Sequence, residues 1–373
     1  MSKRSIFEDV KSTGPKTVAP AKSRRDPARQ GIFVWLMMLA LLVAVMVVVG
    51  GATRLTDSGL SITEWAPVIG TLPPLSQGDW DAAFAAYKTT TEFQEQNSWM
   101  TLEDFKPIFW WEWGHRFFGR LIGLIWFVGF AGFLVLGRIP DGWTVKLLLP
   151  GVLGGIQGSI GWWMVASGLT GRLDVAPYRL AVHLGLAVFI FGLLLWLAMR
   201  VLRDPVETLA RRRTRLTGPM RWSGLMLGLV FVQVLSGALV AGLDAGQAFT
   251  DWPLMAGEFF PATALDLQPI WVNFFENPGL AQFNHRMVAY LILFVSVGFL
   301  LSHFRAPHPK VRAWGWRCMI IVGAQIALGI ATLAHSAPVH LAIAHQFLAL
   351  LLIGALVHAR FEAGYPSPQR ISA

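Results

Sequence analysis

Charge and sulfur are scarce in this chain. Charged residues make up 14% of 373 positions, and there is one cysteine, Cys318. A lone thiol excludes an internal disulfide and a thiolate metal cluster. With 54% of positions hydrophobic, so few charges leave too little polar surface to clothe a water-soluble domain of this length. Positive charge is missing altogether from 244–280, a stretch that carries Asp244, Asp251, Glu258, Asp266 and Glu276. The net charge of +9 is therefore clustered elsewhere. Such clustering argues for orientation in a membrane and contact with anionic lipid, and against a nucleic-acid partner.

Apolar sequence, by contrast, comes in long runs. About 20 such residues cross a bilayer, and runs of that length lie near 31–51, 114–136, 144–167, 176–199, 221–243, 281–302, 313–334 and 339–360. The expectation is an all-α integral membrane protein with eight transmembrane helices. Basic residues crowd the tail 1–30, the connection 200–221 and the segment from Arg305 to Arg317. The positive-inside rule puts these segments and both termini in the cytoplasm, with 52–113 and 244–280 outside. The tail lacks an apolar run and contains Glu8 and Asp9, so it reads as a disordered cytoplasmic tail rather than a targeting peptide.

The chain is internally duplicated. Gly51-Ala-Thr-Arg-Leu-Thr-Asp57-Ser-Gly59, leading to Thr63-Glu64-Trp65, is echoed with a one-residue gap by Gly237-Ala-Leu-Val-Ala-Gly-Leu-Asp244-Ala-Gly246, leading to Thr250-Asp251-Trp252. Gln157 in the third run corresponds to Gln325 in the seventh. Four spans per repeat let both halves enter from the same side, so the pseudo-two-fold axis should run along the membrane normal. Two duplicated four-helix bundles are expected, 31–199 and 221–362, joined by a basic cytoplasmic linker 200–220 and followed by a tail 363–373. The outer segment 52–113 is too long for a simple connection. Ser76-Gln-Gly-Asp79 and Thr101-Leu-Glu-Asp104 look like capped helix starts, Asp79 to Tyr87 has helical spacing, and a lid over the first bundle is expected.

Each half holds two histidines in register. His115 sits in Glu112-Trp-Gly-His-Arg-Phe-Phe-Gly119 and His285 in Gln282-Phe-Asn-His-Arg-Met-Val-Ala289; His183 and His345 follow two runs later. A histidine in a membrane helix is costly without a partner. A single one near an interface is ordinarily just hydrogen-bonded, but four in a duplicated pattern point to two iron-porphyrin sites, because neutral imidazole is a common axial ligand of haem iron. His115 and His285 are expected within the first turn or so of helices descending from the outer face, and His183 and His345 about 10 Å below the outer ends of theirs. His335 and His340 sit in a short outer loop, have no counterpart, and read as solvated or supporting. His303, His308 and His358 fall on the cytoplasmic side with the basic clusters, and tryptophans near span ends, such as Trp110 and Trp314, read as headgroup-level anchors.

The halves differ where chemistry would be decided. Glu112 precedes His115 by three residues, and the matching residue before His285 is Gln282. That spacing puts the carboxylate on the imidazole's face of the helix. A carboxylate can move protons; an amide cannot. The first half is therefore expected to hold a substrate and the second a fixed electron-transfer haem. The competing reading of Glu112 is a solvated interfacial carboxylate paired with Arg116. Arg116 and Arg286 follow the histidines in both halves and suit haem propionates or, alternatively, lipid phosphate; Arg54, Arg120 and Arg172 could serve either purpose.

The eight-span duplication, Glu-x-x-His-Arg-x-x-Gly at 112–119, Gln-x-x-His-Arg at 282–286 and Gly51-Ala-Thr-Arg-Leu-Thr-Asp-Ser-Gly-Leu-Ser61 together resemble the haem A synthase family, over roughly residues 30 to 362. The lack of a cysteine pair in the outer segments is similar to the alphaproteobacterial and mitochondrial branch, and the short tail favours a bacterial inner membrane. The resemblance implies oxidation of the C8 methyl group of haem O to a formyl group by successive hydroxylations, giving haem A for cytochrome oxidase. It implies a resident haem b on His285 and His345 with Arg286 nearby, the substrate haem at His115 and His183 with Arg116, and a Glu112 required for turnover. Implied partners are the lipid bilayer, the farnesyltransferase that supplies haem O, an electron donor of open identity, oxidase assembly factors and a second copy of the chain. Two other readings stand beside it: a di-haem b-type cytochrome that only carries electrons, and a parallel-repeat transporter with histidines as proton relays.

Overall fold

The computed structural model describes residues 26–66 and 69–367. Most of the tail 1–30 lies outside the described residues, as does the end of 363–373. Residues 27–30 are already helical. Helix α1 (Pro27–Leu55) starts there because the Asp26 carboxylate accepts the Ala28 N–H at 2.9 Å and Pro27 occupies the first helical position.

The outer segment folds as its caps predict. Helix α2 (Gln77–Tyr87) opens on the Ser76/Asp79 capping box, and α3 (Thr91–Glu95) on Thr90. The second capping box, Thr101/Asp104, starts α4 (Leu102–Val135). Here the structure corrects the sequence reading: the outer helix start and the second apolar run are one unbroken helix of 34 residues. Pro107 costs one backbone bond near its start without ending it. Phe84 and Tyr87 of α2 pack with Phe105 and Phe109 of α4 into a small core outside the apolar spans. Leu60 lies against Gly168, and Trp65 against Trp162 at 5.1 Å, so part of the segment also covers the end of α5 (Thr144–Gly168).

The remaining helices are α6 (Pro177–Val201), α7 (Pro205–Arg213), α8 (Thr217–Gly242), the short α9 (Asn273–Glu276), α10 (Pro278–Phe304), α11 (Pro309–Ala334) and α12 (Val339–Gly364). Helices α6, α7, α10 and α11 all begin with proline, where the missing N–H is not needed. Helix α7 lies inside the expected linker 200–220; its signature is Asp204, which caps the N–H groups of Val206 and Glu207.

Among the described residues, seven helices (α1, α4, α6, α8, α10, α11 and α12) are long and apolar enough to cross a membrane, so this is a multi-pass membrane protein. Helix α5, of 25 residues, is not among them. Gly151, Gly154, Gly155, Gly158 and Gly161 dilute its apolar content. Neighbours run α1–α4–α5–α6 and back to α1, and α8–α10–α11–α12 and back to α8; between the two sets, α6 touches α8 and α12, and α1 touches α12. Ile32, Leu36, Leu194 and Leu356 fill the centre, while Leu124, Phe127, Phe294 and Val297 point outward, a pattern that suits a lipid solvent.

The repeat register also needs correcting. Asp57 and Asp244 both take left-handed φ, 47° and 49°, a conformation that aspartate tolerates. Behind each, the same bond closes the helix: Ser58 N to Thr53 O at 3.0 Å and Ala245 N to Val240 O at 2.9 Å. These equivalences need no gap. They align Gly50, rather than Gly51, with Gly237.

Candidate functional site: paired histidines and their seats

The four histidines lie on α4, α6, α10 and α12. Because α4 is capped at Thr101 and α10 at Asn277, His115 sits about 20 Å and His285 about 10 Å along its helix at 1.5 Å per residue, deeper than the first turn expected. His183 and His345 lie about 9 Å into α6 and α12, as expected. The His285 and His345 ring centroids are 6.5 Å apart with planes at 69°. Two imidazole–metal bonds of about 2 Å, with each centroid about 1 Å behind its nitrogen, would place opposed ligands about 6 Å apart. The second pair thus has the spacing of a bis-imidazole site.

Each of three histidines is gripped by a glutamine on the neighbouring helix. The Gln157 amide donates to the His183 carbonyl at 3.0 Å, and Gln325 to that of His345 at 3.1 Å. Both amide nitrogens also lie 3.2–3.3 Å from ring nitrogens. Gln233 donates to the His285 carbonyl at 3.0 Å and lies 3.1 Å from its Nε2. Four residues after each glutamine is a glycine against which the ring rests. A Cβ at Gly161, Gly237 or Gly329 would fall 2.9, 3.0 or 2.9 Å from the Cε1 of His183, His285 or His345. The Gln157–Gln325 match was legible in the sequence; Gln233 was missed, although Gln-x-x-x-Gly occurs a third time in α8.

These donor sets fit an iron porphyrin. Among the described residues no group of three or more His, Cys, Asp or Glu is placed to hold a bare metal ion. Paired imidazoles in apolar surroundings suit a metal that brings its other ligands with it. The amide oxygens of Gln157, Gln233 and Gln325 are buried without a hydrogen-bond partner, so polar capacity remains at three of the four rings.

Glu112 is buried, 2% exposed, which overturns the solvated reading. Its Oε2 accepts from Ser61 Oγ at 2.7 Å and Ile62 N at 2.8 Å, and its Oε1 from Arg116 at 2.5 Å. Arg116 also donates to the carbonyls of Ile62 and Glu64. Gln282 is equally buried; its amide donates to the Phe249 carbonyl at 2.9 Å. Arg286 donates to the carbonyls of Leu254 and Asp251 at 2.8 and 3.0 Å. Both arginines therefore fasten an outer loop to the histidine helix. Arg120 does the same through Ala66. Arg54 binds Asp57 and Asp244 at 2.8 Å each, linking the ends of α1 and α8, and Arg172 pairs with Glu276.

The remaining histidines separate cleanly. His335 and His340 are exposed, and His340 belongs to the first turn of α12 rather than a loop. His303 is fully buried between Ser223 and the Phe299 carbonyl, so it is a satisfied core residue rather than part of a basic surface. His358 stacks on Trp314 at 4.0 Å.

Compared with known proteins, residues 33–357 match the model of the COX15-CtaA family, cytochrome oxidase assembly protein. This chain belongs to that family. Among its COX15-CtaA relatives, the heme A synthase of Dinoroseobacter shibae is 54% identical over 371 residues, 98% of this chain and 97% of the relative. That of Ruegeria pomeroyi is 51% identical over 375 residues, 98% of each chain. That of Paracoccus denitrificans is 46% identical over 371 residues, 98% of this chain and 97% of the relative.

Proposed function

We propose that this chain is an enzyme of haem A biosynthesis, oxidising the C8 methyl group of haem O to a formyl group for cytochrome oxidase. The observation that carries the assignment of halves is the contrast between the buried carboxylate of Glu112 and the buried amide of Gln282, each one helical turn from a histidine. The closed contact circuits of the two helix sets, and the equivalent Asp57 and Asp244 turns, support two four-helix bundles related by a two-fold along the membrane normal, with α5 as the eighth span. The basic 200–221 connection supports cytoplasmic termini in a bacterial inner membrane.

In this reading His285 and His345 hold a haem b, which supplies one-electron transfer when bound. His115 and His183 orient haem O in the first bundle, where apolar helix faces can take its farnesyl tail. Two hydroxylations of the methyl group, each a two-electron oxidation that draws its oxygen atom and its electron partner from outside the chain, give the alcohol and then the hydrate, and loss of water leaves the aldehyde. Glu112 is held next to His115 by three donors, and its carboxylate takes up or releases the proton that each hydroxylation moves. Arg116 keeps that carboxylate in place and closes the outer loop over it. Lipid, the farnesyltransferase that makes haem O, oxidase assembly factors and a second copy of the chain are the partners this role calls for.

A second reading draws on the same geometry. Because both carboxyl oxygens of Glu112 are engaged by Ser61, Ile62 and Arg116, the residue could be a loop anchor in a di-haem b cytochrome that only carries electrons. Extraction and chromatography of membrane haems from cells supplied with haem O separates the two. Wild type should yield haem A. Glu112→Gln should keep haem b, lose more than about 90% of haem A, and accumulate haem O or its alcohol, an effect of about one order of magnitude or more for a lost acid–base group. Gln282→Glu should create no second catalytic half. Unchanged haem A in Glu112→Gln would remove the proton role.

A further inference from the structure

The grip on the histidines is present three times and missing once. With the register set by Asp57 and Asp244, the fourth site reads Met46-x-x-x-Gly50, so Met46 stands where Gln233 stands. Gly50 still seats a ring, but a Cβ there would meet His115 Nε2 at 3.1 Å rather than Cε1, so this imidazole turns a different edge to its seat. A thioether offers no N–H to the ring or to the histidine carbonyl. Among the described residues His115 has no hydrogen-bonded side-chain partner, whereas the other three have one.

His285 is held further. Ser236 Oγ lies 2.9 Å from His285 Nδ1 and 2.9 Å from the Gln233 carbonyl. A carbonyl can only accept; with the hydroxyl proton on the Gln233 carbonyl, Ser236 accepts from Nδ1–H. In that arrangement the ring proton sits on Nδ1, and Nε2 keeps the lone pair that can bind a metal. The residue matching Ser236 in the first half is Val49, which can do neither.

We propose that Gln233 and Ser236 are positioning residues that make the second haem site permanent, and that Met46 and Val49 leave His115 unclamped so that the first site exchanges its haem. Partners that orient a ligating imidazole change metal affinity by about 10–100-fold. A biosynthetic site must release its product, and an electron-transfer site must not let go. The inference rests on the proposed division of haem O and haem b between the halves.

The test is haem transfer from the purified full-length protein, made in cells that synthesise haem O, to excess apomyoglobin. Chromatography of the haem remaining at each time reports haem b separately from haem O and haem A. Wild type should release haem O and haem A at least about 10-fold faster than haem b. The paired change Gln233→Met with Ser236→Val should speed haem b loss about 10–100-fold, and Met46→Gln with Val49→Ser should slow loss from the first site by a similar factor. If the first pair fails to fold, Ser236→Ala removes one hydroxyl and should still speed haem b loss severalfold. Rates within twofold of wild type in the folded variants would overturn the proposal. Absence of haem O and haem A from wild type would instead strike the proposed reaction, and the haem b arm would still decide the role of Gln233 and Ser236.

Discussion

The two halves fasten their outer loops in the same way and differ in the charge used to do it. In the first, a carboxyl and a guanidinium, Glu112 and Arg116, grip Ser61, Ile62 and Glu64. In the second, Gln282 and Arg286 grip Phe249, Asp251 and Leu254 through their backbone carbonyls. The duplicated frame thus preserves a mechanical job while freeing one position to carry a titratable group. The cost is asymmetric too. A buried carboxylate is tolerated only with its donors in place, whereas an amide needs no counter-charge.

The sharpest way to break this comparison is to remove the histidines one half at a time. His285→Ala or His345→Ala should abolish the low-spin haem b band in reduced-minus-oxidised spectra. His115→Ala and His183→Ala should leave that band and abolish haem A. Loss of haem b from the His115 variant would mean that the halves are not separable sites.

A smaller effect is expected at the seam. Arg54 is the cation shared by Asp57 and Asp244, with Asp174 3.6 Å away. Gln346 of α12 adds a second tie by donating to the Val47 carbonyl at 2.8 Å. Arg54→Gln leaves the carboxylates facing one another and should cost about 1–3 kcal/mol, discounted because all three acids are partly exposed. Thermal unfolding in detergent would register it as a lower midpoint, and high salt should narrow the difference. An unchanged midpoint would show that the halves do not depend on this contact.

A pH-dependent effect belongs to the segment built from α2 and α3. Burial pushes the Glu92 carboxyl from 4.5 up to about 8, helped by the negative charges of Asp174, Asp57 and Glu112. Between those values the folded protein holds a proton that the unfolded chain has lost. Stability is therefore highest below pH 4.5 and falls as pH rises toward 8. Glu92→Gln should flatten that slope and stabilise the segment above pH 8. A slope unaltered by the substitution would assign the titration elsewhere.

Much of this was legible in the sequence because lipid imposes simple rules. Long apolar runs located the main helices to within a few residues except at the start of α4, and repetition picked out His115, His183, His285 and His345. The capping boxes at Ser76 and Thr101 were read correctly for the same reason: each is a local bond pattern. What escaped was non-local. Nothing in the run of residues says that α4 passes unbroken from Thr101 into the apolar run, since Pro107 stands between the two. Gln233 escaped because pairing Gly51 with Gly237 hid its place in the repeat. The burial of Glu112 depends on Ser61 and Ile62 folding back over it from about 50 residues away, as their hydrogen bonds record.

Helix α4 has one further consequence. Its outer third is clamped by the aromatic core of α2, and its middle carries both Glu112 and His115. A helix transmits tilt along its whole length, so the external segment and the imidazole move as the two arms of one lever. The packing of Phe84 and Tyr87 on α4 therefore bears on the position of His115, with Pro107 and Gly114 as the places where the helix can give. The second half has no such handle: α10 begins at Pro278, only two turns before His285.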